Sequence, residues 1–276
     1  MKKLRLAVCF LFICLMAAGC SSEKKEPEEV QKVPDIEIKV DEPEKGNEDS
    51  AQEDEGSTEE ETDNVQKKEQ IIVLDPGHSS VVAEGTEPLG PGSTEYKAAD
   101  TSGTSGVASG LTEYELNLAV SLKLKQELED RGYTVLLTRE TNDVPVSCVE
   151  RAETANNAGA DAFVRIHANG AEDSSAKGAM TICITPENPF VPQMYSQSRS
   201  LSDCIINNLS ESTGCENDGV WETDSMSGNN WSEVPATIVE MGYMTNESED
   251  LLMAEEEYQA KIVQGIANGI EQYFGL

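Results

Sequence analysis

The sequence has almost no histidine: 276 residues contain two, His78 and His167. Any histidine-based metal site must therefore draw its remaining ligands from other residue types. Basic residues are also scarce, 20 against 52 acidic ones, giving a formal net charge of −32. Such a chain repels nucleic acid and anionic lipid, which excludes nucleic-acid partners on charge alone. Among the four cysteines beyond residue 20 no two stand at metal-ligand spacing, which argues against cysteine-bound zinc. Sequence repeats are absent, and no apolar run approaches the roughly 20 residues a spanning helix needs. The longest run, Leu6 to Met16, is eleven residues.

That run follows Lys2, Lys3 and Arg5 and leads through Ala17, Ala18 and Gly19 into Cys20. A basic start, a short apolar centre and small residues before the cut describe a secretion signal. The small residues and Cys20 resemble a bacterial lipobox. Residues 1–19 are therefore expected to leave, with Cys20 carrying lipid and tying the chain to a membrane from outside the cytoplasm. Two or more acyl chains make such anchoring stable. Between 21 and 70 there are 19 acidic and 7 basic side chains and no aromatic residue. This stretch has too little apolar area to offset chain entropy, so 20–70 is read as an anchored, disordered acidic tether. Cys148, Cys183, Cys204 and Cys215 remain beyond it, with no readable pairing.

The composition changes at Ile71, where a domain over 71–276 begins. Apolar runs at Ile71–Asp75, Tyr133–Thr138, Asp161–Ile166, Ala179–Ile184 and Ala236–Met241 predict buried strands. Helices are expected from Thr112, with Glu115 completing a capping box, to Gly132, and from Ser147, with Glu150, to Gly159. Two more are expected at Met194–Glu211 and Tyr258–Phe274. Ser79–Gly110 reads as one long polar, glycine-rich loop. The alternation predicts a single α/β domain: a mostly parallel twisted sheet of about six strands with helices on both faces.

Both histidines end predicted strands, in Ile71-Ile-Val-Leu-Asp-Pro-Gly-His78 and Ala162-Phe-Val-Arg-Ile-His167. Glu240 ends a third strand, and a carboxylate so placed needs a partner such as a metal or a bound water. Open α/β sheets build their sites outside the carboxyl ends of the strands. A catalytic zinc takes three protein ligands, so a carboxylate must complete the set. Glu113 and Glu115 both qualify, and the capping box would occupy Glu115. Spacing alone leaves a metal site and two structural histidines about equally supported.

Further stretches carry a family resemblance. Val73-Leu-Asp-Pro-Gly-His78, Glu113-Tyr-Glu-Leu-Asn-Leu-Ala119, Thr138-Arg139, Glu150-Arg151-Ala152 with Ala155-Asn156, Ile166-His167-Ala-Asn169 and Pro235-Ala-Thr-Ile-Val-Glu240-Met-Gly-Tyr-Met-Thr-Asn246 occur in this order. Together they resemble the successive motifs of the zinc-dependent N-acetylmuramoyl-L-alanine amidases. The resemblance implies one Zn2+ held by His78, Glu113 and His167, with Glu240 as catalytic acid/base. It implies hydrolysis of the amide between N-acetylmuramic acid and L-alanine, with peptidoglycan glycan strands and stem peptides as partners. No protein partner is evident. The segment between His78 and Glu113 is longer than in plain members and is expected to wall the groove or order over substrate. Arg165 replaces a small residue and is expected on the face opposite His167's neighbours, without a catalytic role. No inserted helix that would plug the site is evident between His167 and Glu240. The alternatives are a zinc peptidase acting within the stem peptide and an inactive wall-binding lipoprotein.

Overall fold

Ile71–Pro76 forms β1 in the computed structural model, which describes residues 67–276. The signal segment, Cys20 and the acidic stretch to residue 66 lie outside the described residues. Pairing begins slightly before Ile71, because Thr134 N donates to Gln70 O (3.2 Å) and Lys68 N to Gly132 O (2.8 Å). The Lys68 ammonium meets Glu271 at 2.8 Å.

After β1 come a short hairpin, β2 (Thr86–Pro88) and β3 (Tyr96–Ala98), then α1 (Glu113–Asp130), β4 (Thr134–Leu137), α2 (Cys148–Ala158) and β5 (Ala162–Asn169). The chain continues through β6 (Ala179–Cys183), α3 (Tyr195–Thr213), β7 (Asn217–Glu222), α4 (Ser227–Asn230), β8 (Ala236–Tyr243), α5 (Glu247–Ala254) and α6 (Glu256–Tyr273). Six strands form one sheet in the order β4-β1-β5-β8-β6-β7. The first four run parallel, β6 runs antiparallel to β8, and β7 follows β6 in parallel.

The central strands are buried on both faces, which is why they read as unbroken apolar runs. Ile72, Leu74, Val164, Ile166, Val239 and Met241 face α1, α3 and α6. Alternate residues Val73, Phe163 and Ala236 face the other way, where Ala152 and Ala155 of α2 bring that helix close. On α6, a Cβ at Gly265 or Gly269 would come within 2.7 Å of Leu209 Cα or 2.5 Å of Ile205 Cα, so these glycines let α6 press against α3.

Three differences from expectation have physical causes. The 79–110 segment is not all loop: its hairpin docks through Trp231 Nε1 donating to Pro88 O (2.9 Å), Val149 N to Glu87 Oε1 (3.1 Å) and Lys97 Nζ to Ser225 O (2.7 Å). Three-residue strands show too little alternation to be read. β7 is a polar edge strand whose Trp221 is half exposed, so it lacks a buried apolar run. Asn246 caps α5, a short helix outside the four expected from the sequence, by accepting from Ser248 N (3.0 Å). The four cysteines beyond residue 66 are free thiols. No helix among the described residues is long and apolar enough to cross a membrane.

Candidate metal and catalytic site

At the end of β1 the chain turns sharply through Gly77 and His78. His78 sits at φ 60°, a left-handed conformation unfavourable for a side-chain-bearing residue. Two buried arginines hold it there. Arg139 donates from Nε to Pro76 O and from Nη2 to Gly77 O, each at 2.9 Å. Arg151 donates from Nη1 to Pro76 O (2.7 Å) and from Nη2 to His78 O (3.1 Å). Beneath the turn lies Asp75, fully buried, bonded by Arg151 Nη1 (2.8 Å) and Arg165 Nε (2.9 Å). Burial opposes the charge on Asp75, but the two guanidiniums outweigh it and hold the carboxyl well below the usual carboxylate range.

The His78 ring is aimed by Nδ1, 2.8 Å from Thr101 O. A carbonyl only accepts, so Nδ1 carries a proton and Nε2 is the ring nitrogen turned inward. Nε2 lies 3.1 Å from Glu113 Oε1. His167, near the end of β5, places Nδ1 at 3.1 Å from the same oxygen. The two rings stand nearly perpendicular, with centroids 4.8 Å apart.

Glu113 opens α1 and is buried. Its neighbour Glu115 is occupied as expected, accepting from Thr112 N at 3.1 Å in the capping box. Glu113 Oε2 accepts from Thr104 N (2.8 Å), and Asn117 Nδ2 reaches Oε1 at 3.3 Å. Burial raises the Glu113 carboxyl, but hydrogen bonds from His167 and His78 reverse this and hold it well below its ordinary value. Burial pushes His167 down to about 4, so the ring is neutral near pH 7. Burial also lowers His78, yet the bond to Glu113 overcomes it and the net direction is up. Ligand atoms of His78, Glu113 and His167 lie within 4.8 Å of one another, a donor set able to hold a metal ion.

Glu240 on β8 is the register partner of His167 on β5. Adjacent strands lie about 4.8 Å apart, so its side chain rises beside the cluster. Glu240 and His167 share the walls of two adjoining cavities, of about 280 and 530 Å³. Glu240 Oε2 is buried and has no hydrogen-bond partner among the described residues. Burial, with the nearby Glu113 charge adding, pushes its carboxyl up to about 8.

All four sequence-predicted residues therefore share one end of the sheet. Sequence reasoning gave no role to Asp75, Asn117, Arg139 or Arg151, which build the scaffold around them. Asp75 carried a readable signal, a carboxylate inside an apolar strand that demands buried cations. Arg165 lies two residues before His167 on one strand and therefore shares its face; it lines the smaller cavity with Glu240. The hairpin walls the same cavity through Lys97 and Ala98.

Gly77 packs against the His167 ring: a Cβ there would lie 2.2 Å from its Cε1. Gly77→Ala is expected to displace that ring while the sheet stays folded. Activity should fall by about 10²-fold, the order of loss a 1 Å misplacement causes, with far-ultraviolet circular dichroism unchanged. Wild-type activity in this variant would contradict the packing.

Comparison with known proteins agrees with this architecture. Residues 72–272 match the family model described as N-acetylmuramoyl-L-alanine amidase. An uncharacterised protein of Bacillus subtilis, YqiI, is 32% identical over 70% of this chain and 89% of its own length. The N-acetylmuramoyl-L-alanine amidase LytC of the same organism is 29% identical over 74% of this chain, which spans only 36% of LytC. The crystal structure of the N-acetylmuramyl-L-alanine amidase Ami1 from Mycobacterium smegmatis superposes with a TM-score of 0.68 at 25% identity, covering 75% of this chain and 97% of that one. With the family model spanning most of its length and the same single α/β domain in its structural relatives, the chain belongs to the N-acetylmuramoyl-L-alanine amidase family.

Proposed function

We propose that this chain is a zinc-dependent peptidoglycan amidase that cleaves the amide joining the lactyl group of N-acetylmuramic acid to L-alanine of the stem peptide. The observation that carries the reading is the convergence of His78 Nε2, Glu113 Oε1 and His167 Nδ1, with the unpartnered Glu240 carboxyl alongside. Each imidazole nitrogen stands 3.1 Å from Glu113 Oε1 and all three ligand atoms lie within 4.8 Å of one another, so His78, Glu113 and His167 would share one ion. Two imidazoles and one carboxylate form a hydrolytic zinc set that leaves room for water. When bound, zinc supplies Lewis-acid activation of that water and of the scissile carbonyl.

The chain's own residues supply the rest. Asn117 and Thr104 fix the Glu113 carboxylate, and Thr101 fixes the His78 tautomer. Glu240 takes the proton released as water attacks the carbonyl and returns it to the departing alanine nitrogen. The cavities beside Glu240 admit the glycan-linked peptide from the open end of the sheet. An acidic surface gives anionic wall polymers no attraction, so recognition rests on these groove contacts and depends weakly on salt.

The same proposal places the enzyme outside the cytoplasm, held to the membrane by lipid on Cys20 through the acidic stretch. Cys20→Ala is expected to move the protein from the membrane fraction into the medium; a wild-type distribution would contradict the anchor. Digestion of purified wall followed by mass analysis tests the activity. The expected products are intact stem peptides beginning with L-alanine and glycan bearing free lactyl carboxylates. New termini inside the stem would mean a peptidase, and wall binding without release would mean a binding protein.

A further inference from the structure

Arg165 is 4% exposed, and a buried guanidinium is costly unless something repays its desolvation. Asp75 repays part of it, since Arg165 Nε bonds Asp75 Oδ2 at 2.9 Å while Arg151 holds Oδ1 at 2.8 Å. Of its five N–H donors, Arg165 commits Nε to Asp75 (2.9 Å) and reaches Asn229 Oδ1 from Nη1 at 3.5 Å. No oxygen acceptor among the described residues meets Nη2, and the Cys148 thiol, on the wall of the same cavity, is the guanidinium's remaining neighbour. The side chain lines the cavity of about 280 Å³ that also contains Glu240 and His167. A second cation, Lys97, stands on the hairpin wall of that cavity. The other acidic group there, Asp100, lies on the side of Arg151 and His78, 3.7 Å from Arg151 Nη2 and 3.8 Å from His78 Nδ1, and its Oδ2 has no hydrogen-bond partner among the described residues.

We propose that Arg165, with Lys97 on the wall of the same cavity, forms a subsite that reads a carboxylate of the stem peptide next to the scissile amide. This rests on the amidase reading of the site. A planar guanidinium with unused donors is matched to a carboxylate, which accepts two parallel N–H bonds. Reach selects which carboxylate. Arg165 and His167 are two residues apart on one strand, an offset of about 6.7 Å. Alanine carries no charge. The next residue is a glutamate joined through its side chain, so its α-carboxyl is the first ionisable group along the stem. That group lies one Cα–Cα step of about 3.8 Å beyond alanine plus the carboxyl arm, on the same few-ångström scale as the backbone offset. In some walls this carboxyl is free and in others it is amidated, so the subsite distinguishes wall chemistries.

The test compares two synthetic muramoyl peptides that differ only in a free or amidated α-carboxyl at the second stem residue. The wild-type zinc enzyme is expected to show kcat/KM about tenfold higher for the free acid, mainly through KM. Arg165→Lys and Arg165→Gln should erase the preference, read as the ratio of kcat/KM for the two substrates within each folded variant whatever its absolute rate. Equal kcat/KM for the two substrates in the wild type overturns the proposal, and that arm needs no variant to fold. Persistence of the preference in both variants also overturns it. Calorimetric binding of the two free peptides is read independently of turnover. Turnover without preference in either readout sinks the subsite and leaves the amidase reading intact. Selective binding of the acid without turnover sinks the amidase reading and keeps the subsite.

Discussion

Glu240→Gln should lower kcat on peptidoglycan by about 10³-fold, within the range contributed by a positioned general acid/base, while the protein still binds one zinc per chain. The substitution keeps the shape of the side chain and removes only its capacity to take and return a proton. No protein hydrogen bond is lost, because Oε2 has no partner among the described residues. Glu240 also stands outside the three-residue cluster whose ligand atoms lie within 4.8 Å of one another. Burial, not a bond, raises its carboxyl to about 8. An unfolded carboxyl near the ordinary value is ionised at pH 7, so folding the metal-free chain must take up a proton or bury a charge. The Gln variant carries no such burden, and the metal-free form should melt no lower than metal-free wild type. Loss of zinc in this variant would show that Glu240 is a ligand, not the base.

The largest stability effect is expected from Arg151→Met. Arg151 is 1% exposed and joins four acceptors, Val146 O, Asp75 Oδ1, Pro76 O and His78 O. Its loss orphans buried carbonyls and weakens the neutralisation of Asp75. Breaking a buried ion pair from one side costs about 3–5 kcal/mol. For a domain of this size that corresponds to a fall in Tm of about 10 °C. Arg151→Lys should recover little, because one ammonium cannot span acceptors arranged for a planar fork. The folded fraction should also hydrolyse poorly, since the left-handed turn at His78 loses one of its two restraints. A change in Tm below about 2 °C would show that Arg139 holds the turn and Arg165 neutralises Asp75 without it.

The parts of this fold legible in the sequence are those whose physics is local or strongly periodic. Strands buried on both faces, such as Ile72–Leu74 and Phe163–Ile166, announce themselves as apolar runs. Capping boxes at Thr112 and Ser147 mark helix starts, and Gly159 and Gly214 stop α2 and α3 at positive φ. The Thr112 box also separated Glu113 from Glu115, because one carboxylate cannot both cap the helix and face the site. What stayed hidden depends on tertiary contact. The hairpin of β2 and β3 is held by bonds to residues as distant as Trp231, and β7 exists because β6 offers it an edge. Arg139 and Arg151 stood in recognisable motifs, but nothing local says that both converge on the carbonyls of one turn. The face of Arg165 was available from strand alternation with His167; its unused donors and the cavity beside them were not.

The central claim is that two imidazoles and one carboxylate from β1, β5 and α1 hold a single zinc ion. The most direct measurement is zinc content by elemental analysis of the purified chain after dialysis, in wild type and His167→Ala. One zinc per chain in the wild type and less than a tenth of that in a folded His167→Ala protein is the predicted result. Equal zinc in both, or none in the wild type after exposure to the metal, would contradict the account.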